Sequence, residues 1–457
     1  MQEASRDQQE DLRTDAVVIG GGLAGLSAAI HLVRSGLSVI CLEPRRTLQQ
    51  IVGESLDWSA PDLLAQLGLP MDELVASGAA TYKRHILVEQ LDGSQETYLP
   101  GEWLGRRPWN IELRTMHLDR LRIQDALQDS AHALGVVRLQ EKAAAIVSRN
   151  RRISAVETSA GRCIRATWFI DASGSAASVL GREFQLRSTS YGPRKVAIWG
   201  HAPTENWVEG TRLYMLSPVG EYMEWLWEIP IHPGLSSIGY VAPGAKVKAQ
   251  RAHGQTNTEI FTSQLKKFNR FDEMVSKGQP EHLAATSFLC RTFKTVCGEN
   301  WIIIGEAASQ SDPITGNGVT AALRHAAEAS ALVCRYRTRG KIPVLARAAY
   351  NLRVLEMGRF FNSLIEKIVY EPALRAKIGI FWSGRIYTVP AWLGNLLYSR
   401  IRPKRLLGTA AFCSGLACLR LIAWACFGVS RLLGKRQPKP VNAAAAGRER
   451  RVLHLAR

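Results

Sequence analysis

The stretch Ala16-Val-Val-Ile-Gly-Gly-Gly-Leu-Ala-Gly25 decides the fold of this chain. An apolar run turns sharply through glycines into an Ala- and Leu-rich segment with helical spacing, and a second strand follows. In such a βαβ unit Gly20 permits the tight turn, Gly22 lets a pyrophosphate approach the backbone, and Gly25 lets helix and strand pack closely. Glu43 ends the second strand, where a carboxylate accepts hydrogen bonds from an adenosine ribose. The sequence therefore predicts an α/β fold with a Rossmann-type dinucleotide-binding domain.

Two further segments lie far from this unit. The strand predicted over 301–304 leads into Gly305-Glu306-Ala307-Ala308 and then into Asp312-Pro-Ile-Thr-Gly-Asn-Gly-Val319. Asp171-Ala172-Ser173-Gly174 lies where another buried strand, predicted over 167–172, enters a turn. Together with the first glycine turn, these segments resemble the flavin-binding elements of the p-hydroxybenzoate hydroxylase and tryptophan halogenase superfamily.

The resemblance implies a role for each residue in these segments. Glu306, which stands where the family usually has Asp, would bind the flavin ribityl chain. Gly316 and Gly318 would let the following helix, expected over 317–337, point its N-terminus at the isoalloxazine, where a helix dipole stabilises negative charge. Asp171 would lie beneath the adenine half. The three elements together imply FAD as the resident cofactor.

An aromatic strand narrows the resemblance. Trp225-Leu-Trp227-Glu-Ile-Pro230 matches the WxWxIP string of flavin-dependent halogenases, although Glu224 replaces the glycine that precedes it in the family. The resemblance implies that Trp225 and Trp227 cover the flavin and keep the substrate away from the face that reacts with oxygen. Without the resemblance, the same pattern is typical of a strand of core aromatics.

A candidate catalytic lysine stands 63 residues after the first glycine. Gly53-Glu-Ser55 and, later, Ala80-Thr-Tyr-Lys83 resemble the halogenase stretch that ends in a lysine acting on hypohalous acid. Lys83 can serve in this way only beside a dry pocket, and the alternative is an exposed lysine on an edge strand. The carboxylate that tryptophan halogenases place after the Asp-Pro pair is replaced by Ile314 and Thr315, so tryptophan is not expected as the substrate.

The pattern of segments divides the chain into five parts. A β-rich domain that covers the cofactor is expected to be inserted into the FAD-binding domain, and helices follow. The expected parts are a disordered N-terminus over 1–14, the FAD-binding domain over 15–187 and 283–340, the β-rich substrate or cap domain over 188–282, C-terminal helices over 341–400 and a basic membrane-associating tail over 401–457.

Three functions fit these features. The first is a halogenase-like or monooxygenase reaction on a hydrophobic or aromatic small molecule. The second is reduction of lipid double bonds, as in geranylgeranyl reductase-like proteins, and the third is a flavin-holding membrane protein without catalysis. The sequence contains no second glycine fingerprint for a nicotinamide cofactor. Electrons are therefore expected from a separate flavin reductase or from transiently bound NAD(P)H.

The formal net charge of +18 is concentrated at the C-terminus. Residues 371–457 hold sixteen Lys and Arg against two acidic residues, whereas residues 1–370 hold 42 basic against 38 acidic side chains. The basic residues flank long apolar runs, which favours an anionic membrane surface over nucleic acid as the partner. The eight scattered cysteines form no CxxC pair and indicate no metal site.

The apolar run over 406–433 is long enough to span a bilayer but carries Arg420 near its middle. On an ideal helix Leu407, Ile422 and Val429 share one side, and the basic residues share the other. Phe412 and Leu416 fall beside the basic residues, which makes this division imperfect. The expectation is a cytoplasmic enzyme bound peripherally to the inner face of the membrane, with a core helix packed on the enzyme as the alternative.

Overall fold

The structure is a computed structural model that describes residues 11–44, 52–99, 114–174, 178–204, 209–217, 221–400 and 406–433. The strands are Asp11–Ile19, Val39–Leu42, Ala80–Tyr82, Ile86–Gln90, Gln95–Tyr98, Met116–Leu118, Val137–Leu139, Ala143–Arg149, Arg152–Thr158, Cys163–Asp171, Ser188–Ser190, Lys195–Pro203, Thr211–Met215, Trp225–His232, Leu235–Pro243, Ala284–Phe288, Arg291–Phe293, Trp301–Ile303 and Ser309–Gln310. The α-helices are Leu23–Arg34, Ala60–Ala65, Met71–Ala76, Arg120–Ala133, Val179–Glu183, Gly244–Ala252, Asn257–Leu265, Asp272–Ser276, Gly318–Tyr336, Val344–Leu364, Pro372–Arg400 and Leu406–Leu433.

The first sheet is built on the glycine-turn strand. Asp11–Ile19 lies between Val39–Leu42 and Cys163–Asp171 and runs parallel to both. Trp301–Ile303 pairs in parallel with the end of Cys163–Asp171. The strands that precede the segments 171–174 and 305–319 therefore end at the same edge of the sheet. Residues 11–14 were expected to be disordered, and this is wrong because their backbone pairs with 163–166. Residues 1–10 lie outside the described residues.

Glycine at two positions lets the first turn close. Gly20 has φ +106°, which favours glycine, and a Cβ on it would lie 2.4 Å from the Ala172 carbonyl oxygen. A Cβ on Gly25 would lie 1.8 Å from the carbonyl oxygen of Gly20, so the helix Leu23–Arg34 can approach its strand only with glycine there. Both roles agree with the sequence prediction.

The second large sheet, called the cap sheet below, has seven strands, and side chains alternate between its two faces along residues 225–229. Trp225 and Trp227 face one side, whereas Leu226 and Tyr240 face the other, against the helices of 244–276. The sheet extends beyond the predicted limits of 188–282, because Ile86–Gln90 and Gln95–Tyr98 join one edge and Ala284–Phe288 joins the other. The described residues of the segment 188–282 also include three α-helices, so it is not a purely β-rich insertion.

The spacing of apolar residues over 116–133 predicts an amphipathic helix, but the helix begins later than this. Met116–Leu118 is a strand paired with Ala80–Tyr82, and the helix starts at Arg120. The Asp119 side chain accepts hydrogen bonds from the backbone N–H groups of Leu121 and Arg122, which fixes the helix start after the strand. The apolar side chains of 116–118 therefore follow strand pairing and not helical spacing.

The C-terminal helices pack against the cap sheet and against each other. Leu406–Leu433 is long and apolar enough to cross a membrane by length and composition, and 22% of its span Leu407–Cys426 is buried inside the protein. Phe412 and Leu416 are buried, and the Phe412 ring packs edge-on against Tyr398 at 4.9 Å between centroids. This packing explains why Phe412 and Leu416 are apolar although they lie beside the basic residues: this side of the helix faces the enzyme. Residues 401–405 and 434–457 lie outside the described part of the chain.

Candidate active site

A cavity of about 940 Å³ runs between the first sheet and the aromatic face of the second. Its wall combines the glycine turn that begins at Gly20, the segment 305–319, the aromatic strand and the candidate lysine. The sequence-predicted residues that line it are Gly20, Gly22, Glu43, Lys83, Trp225, Trp227, Glu306, Gly316 and Gly318. Residues as far apart in the chain as Gly20 and Gly318 therefore meet in one site, as the resemblance implied.

The glycine turn leaves room for a phosphate group. Gly22 has nothing within 4 Å of the position that a Cβ would take, and its backbone is extended. The helix Leu23–Arg34 begins there with no acidic residue in its first turn, so its N-terminus attracts negative charge. Glu43 is buried at the end of the neighbouring strand and accepts a 2.9 Å hydrogen bond from the backbone N–H of Gly21. These residues fit the pyrophosphate and ribose of a dinucleotide.

Asp171 supports the cavity from behind and does not line it. Its carboxylate accepts hydrogen bonds from the backbone N–H groups of Ser173 and Leu180, and the side chain is fully buried. Burial raises the pKa of this carboxyl, while these hydrogen bonds lower it. The cavity wall is formed instead by Ala172 to Gly174, which the carboxylate holds in place. Asp171 was predicted to bind the cofactor, but in the structure it supports the turn that lines the cavity.

The second flavin loop, residues 305–319, lines the cavity with Glu306 and with two glycines. Glu306 is exposed towards the cavity at the end of the strand Trp301–Ile303. Gly316 has φ +59°, and Gly318 begins the long helix Gly318–Tyr336. The N-terminus of this helix lies at the cavity wall, where its dipole would stabilise charge on a reduced flavin.

The two tryptophans form a rigid part of the wall. Trp225 and Trp227 are 1% and 2% exposed, and their ring centroids lie 5.7 Å apart. Trp225 Nε1 donates to the Tyr370 hydroxyl at 2.8 Å, and Trp227 Nε1 donates to the Ser237 hydroxyl at 3.1 Å. A Cβ on Gly239 would lie 2.1 Å from the Trp227 ring, so glycine there makes space for it. Both rings are therefore fixed before a substrate binds.

Lys83 points into the same cavity. Its Nζ donates to the Leu56 carbonyl oxygen at 3.0 Å and lies 3.8 Å from where a Cβ on Gly316 would be. Burial lowers the pKa of Lys83 to about 8, against an ordinary value of 10.5, although Asp57 acts in the opposite direction. An ammonium group with a lowered pKa beside the flavin loop is typical of a functional lysine. The alternative of an exposed lysine on an edge strand does not hold.

A buried ion pair holds the second flavin loop against the tryptophan strand. Lys195 Nζ lies 2.9 Å from an Asp312 carboxylate oxygen and also pairs with Glu366. Tyr370 donates to Asp312 at 3.1 Å and accepts the Trp225 hydrogen bond. Cys290, Asp312 and Glu366 come close enough together to ligate a metal ion, but the Lys195 ammonium supplies the positive charge there.

Sequence reasoning missed several residues of the wall. Trp199 and Phe288 extend the aromatic face. Arg120 lines the cavity and donates through Nη1 to the carbonyl oxygens of Val52 and Gly53. Arginine in a predicted helix carries no sequence signal for such a role, because only the fold turns it towards the loop.

Comparison with known proteins identifies the family. The family described as tryptophan halogenase matches residues 113–379, and that described as FAD dependent oxidoreductase matches residues 15–180. The chain belongs to the tryptophan halogenase family. It is 26% identical over 401 residues to the tryptophan 2-halogenase of Chondromyces crocatus, covering 81% of this chain and 70% of that protein.

A chlorinase and a brominase are also similar to this chain. It is 27% identical over 342 residues to the 1H-pyrrole-2-carbonyl-(peptidyl-carrier protein) chlorinase of Pseudomonas fluorescens, covering 69% of this chain and 74% of that one. The structure of the flavin-dependent brominase Bmp2 superposes with a TM-score of 0.67 at 20% identity, covering 92% of this chain and 100% of that chain. The latter likeness shows the shared fold.

The chain is therefore an FAD-dependent oxidoreductase of the halogenase and monooxygenase type. The open space at Gly22, the carboxylate of Glu43 and the helix start at Gly318 fit FAD along the cavity. When bound and reduced, FAD supplies the electrons that activate oxygen. The protein contributes the phosphate cradle, the dry aromatic wall and the lysine.

Proposed function

We propose that this halogenase family member transfers an electrophilic halogen to an apolar aromatic small molecule. The observation that carries the proposal is that Lys83 Nζ shares one cavity with Trp225, Trp227 and the Gly316 loop. The cavity wall there is largely apolar, which suits a hydrophobic ring and limits hydration of the lysine. The related chlorinase and halogenase act on aromatic rings, which supports the same substrate class.

Lys83 would act on hypohalous acid as a hydrogen-bond donor. With its pKa near 8, the side chain is mostly an ammonium at neutral pH, and the Leu56 carbonyl uses only one of its three hydrogens. A remaining hydrogen can donate to the oxygen of hypohalous acid and assist its departure as water. The two tryptophans keep the ring at a distance from the flavin, so the halogen reaches it by way of the lysine.

A product experiment separates this reaction from the alternatives. Purified protein with FAD, a separate flavin reductase and NADH would be supplied with oxygen, bromide and a set of phenols, indoles and pyrroles. Brominated products that require oxygen support the proposal. Hydroxylated products that are independent of bromide would show a monooxygenase, and reoxidation of the flavin by an alkene without oxygen would show a reductase.

The pH dependence of product formation follows from the pKa of Lys83. As pH rises through about 8 the ammonium loses its proton, so halogenation should fall with an apparent pKa near 8. A Lys83→Arg variant keeps its charge to far higher pH, and any remaining activity should not fall in this range. The ratio of halogenated product to flavin oxidised would be measured from about pH 6 to about pH 10, a range that brackets the pKa of Lys83. A ratio that rises through pH 8 would contradict the donor role.

We also propose that the helix Leu406–Leu433 binds the inner face of an anionic membrane. Leu407, Leu421, Ile422 and Val429 are 84, 68, 54 and 53% exposed, and on an ideal helix they share about one third of the circumference. This side lies opposite the buried Phe412 and Leu416. Exposed apolar residues in one arc, with basic residues on either side in the sequence, suit a helix lying in the membrane interface.

Arg420 supports an interfacial position over a spanning one. Its guanidinium lies 3.7 Å from the Glu356 carboxylate, on the side of the helix towards the enzyme. Insertion of the whole helix would strip this pair and the buried residues of their protein partners. The enzyme would thus lie on the cytoplasmic surface, attached through one side of the helix and the basic residues beyond it.

Membrane binding can be tested by changing the exposed residues alone. Replacing Leu407, Leu421, Ile422 and Val429 together by Ser should reduce sedimentation with anionic vesicles at least about tenfold, since burying each such side chain contributes about 1.5–3 kcal/mol. Val344→Ser with Leu345→Ser is the control, because both residues are 67% exposed on another helix. Equal release by both variants, or wild-type protein that stays in the supernatant, would contradict the proposal.

A further inference from the structure

A chain of hydrogen bonds lies behind Lys83, and two of its members, His117 and Thr211, carried no signal in the sequence. His117 is completely buried on the strand Met116–Leu118. Its Nδ1 lies 3.1 Å from the Thr81 hydroxyl and its Nε2 lies 2.9 Å from the Thr211 hydroxyl. The Thr211 hydroxyl in turn lies 3.3 Å from that of Ser55.

The direction of every hydrogen bond in this chain is determined. The Thr81 hydroxyl donates to the Pro230 carbonyl oxygen at 2.8 Å, so it must accept from Nδ1–H of His117. Burial, Lys83 and His85 all lower the pKa of His117 well below its ordinary value, which keeps the ring neutral. Nε2 therefore bears a lone pair and accepts from Thr211, and Thr211 accepts from Ser55.

The open end of the chain lies beside Lys83. Thr211 and Ser55 both line the cavity, and the strand that begins with Thr211 belongs to the cap sheet. Ser55 Oγ and Lys83 Nζ lie 3.6 and 3.8 Å from the position that a Cβ on Gly316 would take. Thr211 donates its hydrogen to His117 and accepts from Ser55, which leaves its oxygen one further lone pair for a substrate in the cavity. A hydrogen-bond acceptor is thus fixed in the cavity wall, 3.3 Å from the Ser55 hydroxyl that lies on the Lys83 side of the cavity.

We propose that Thr211, oriented by His117, accepts the proton that the aromatic ring loses when it is substituted. The inference rests on the proposed function, and it holds equally if the ring is hydroxylated, because the same C–H bond breaks. It supplies an acceptor in a protein where Ile314 and Thr315 replace the carboxylate of tryptophan halogenases. Thr211 would touch the substrate, whereas His117 is a positioning residue that acts through it.

The step balances as the replacement of hydrogen by halogen. The ring attacks the halogen of hypohalous acid, and the hydroxide that leaves takes a proton from the Lys83 ammonium to form water. The ring C–H electrons then return to the ring while Thr211 Oγ1 accepts the proton and passes its own hydrogen to His117 Nε2. The proton on His117 returns through Thr211 to the Lys83 amine, so the sum is arene plus hypohalous acid giving haloarene plus water.

The first test needs no substrate. Nitrogen NMR of histidine-labelled, FAD-loaded protein is expected to show His117 as the neutral Nδ1–H tautomer at pH 7. Thr211→Val should shift the Nε2 signal because its hydrogen bond is lost, and Thr211→Ser should restore it. An imidazolium, or the Nε2–H tautomer, at His117 would overturn the proposal.

The second test measures removal of the ring proton, with phenol and ring-deuterated phenol as probes in bromide buffer. Thr211→Val should lower product formation roughly 100-fold and reveal a primary isotope effect that wild-type protein and Thr211→Ser lack. Thr286→Val, a change to another threonine of the cavity wall, should show no isotope effect. Glu54 also lines the cavity and is the alternative acceptor. The absence of an isotope effect in Thr211→Val would overturn the proposal, and its appearance in Glu54→Gln instead would assign proton removal to the Glu54 carboxylate. The identity of the product, brominated or hydroxylated, tests the proposed function separately.

Discussion

Replacing Lys83 by Met is expected to abolish halogenated product while FAD stays bound. Methionine fills a similar volume but has no hydrogen to donate to hypohalous acid. We expect product formation to fall by about 100-fold or more, the usual contribution of a positioned acid. Oxidation of the reduced flavin by oxygen should continue, and the hypohalous acid formed should be released to solution. Flavin absorbance and product analysis on the same samples would measure both quantities.

The neighbouring Arg84 provides the control for this variant. Its side chain is 65% exposed and pairs with Glu209 at the surface. Arg84→Ala changes the adjacent charge without changing the cavity, and such exposed pairs contribute little to stability. Product formation should stay near the wild-type level. Equal losses in the Lys83 and Arg84 variants would mean that the segment is merely structural.

Replacing Gly22 by Val is expected to give a folded protein that purifies without FAD. The backbone of Gly22 has φ −75°, which valine adopts, and its Cβ would have nothing within 4 Å. The side chain is therefore accommodated by the protein but occupies the space that the pyrophosphate needs. The visible absorbance of the flavin should fall to background, and the far-UV circular dichroism should be unchanged.

A second glycine variant separates cofactor binding from folding. A Cβ on Gly25 would lie 1.8 Å from the Gly20 carbonyl oxygen, so Gly25→Ala must push the helix away from its strand. We expect this variant to be destabilised and to lose FAD as a consequence. Full FAD occupancy in Gly22→Val would show that the phosphate lies elsewhere.

The sequence predicted those parts of the site that depend on local geometry. The turn at Gly20, the loop before Gly318 and the aromatic strand each require particular residues at fixed spacing. Lys83 could be identified only through the resemblance, and the structure places its Nζ in the cavity, 3.8 Å from the position that a Cβ on Gly316 would take. Asp171 shows the limit of this approach, because a motif does not say whether a carboxylate faces the ligand or the turn behind it.

The remaining residues were beyond the reach of the sequence because long-range pairing determines them. His117 joins Thr81 and Thr211 only because three strands meet, and in the sequence residues 116–118 look like the start of a helix. For a similar reason, the sequence could not decide which environment the apolar residues of the last helix face. Phe412 and Leu416 are apolar whether they face lipid or protein, and only packing against Tyr398 and its neighbours decides between these environments.

The most direct test of halogen transfer at Lys83 is mass spectrometry of extracts from cells grown in bromide. Three cultures would be compared: one with the wild-type protein, one with Lys83→Met and one without the protein. We expect compounds with the paired isotope pattern of bromine only in the wild-type culture, and their chlorinated counterparts when chloride replaces bromide. Halogenated compounds at equal levels in the Lys83→Met culture, or oxygenated compounds alone in the wild type, would contradict the account.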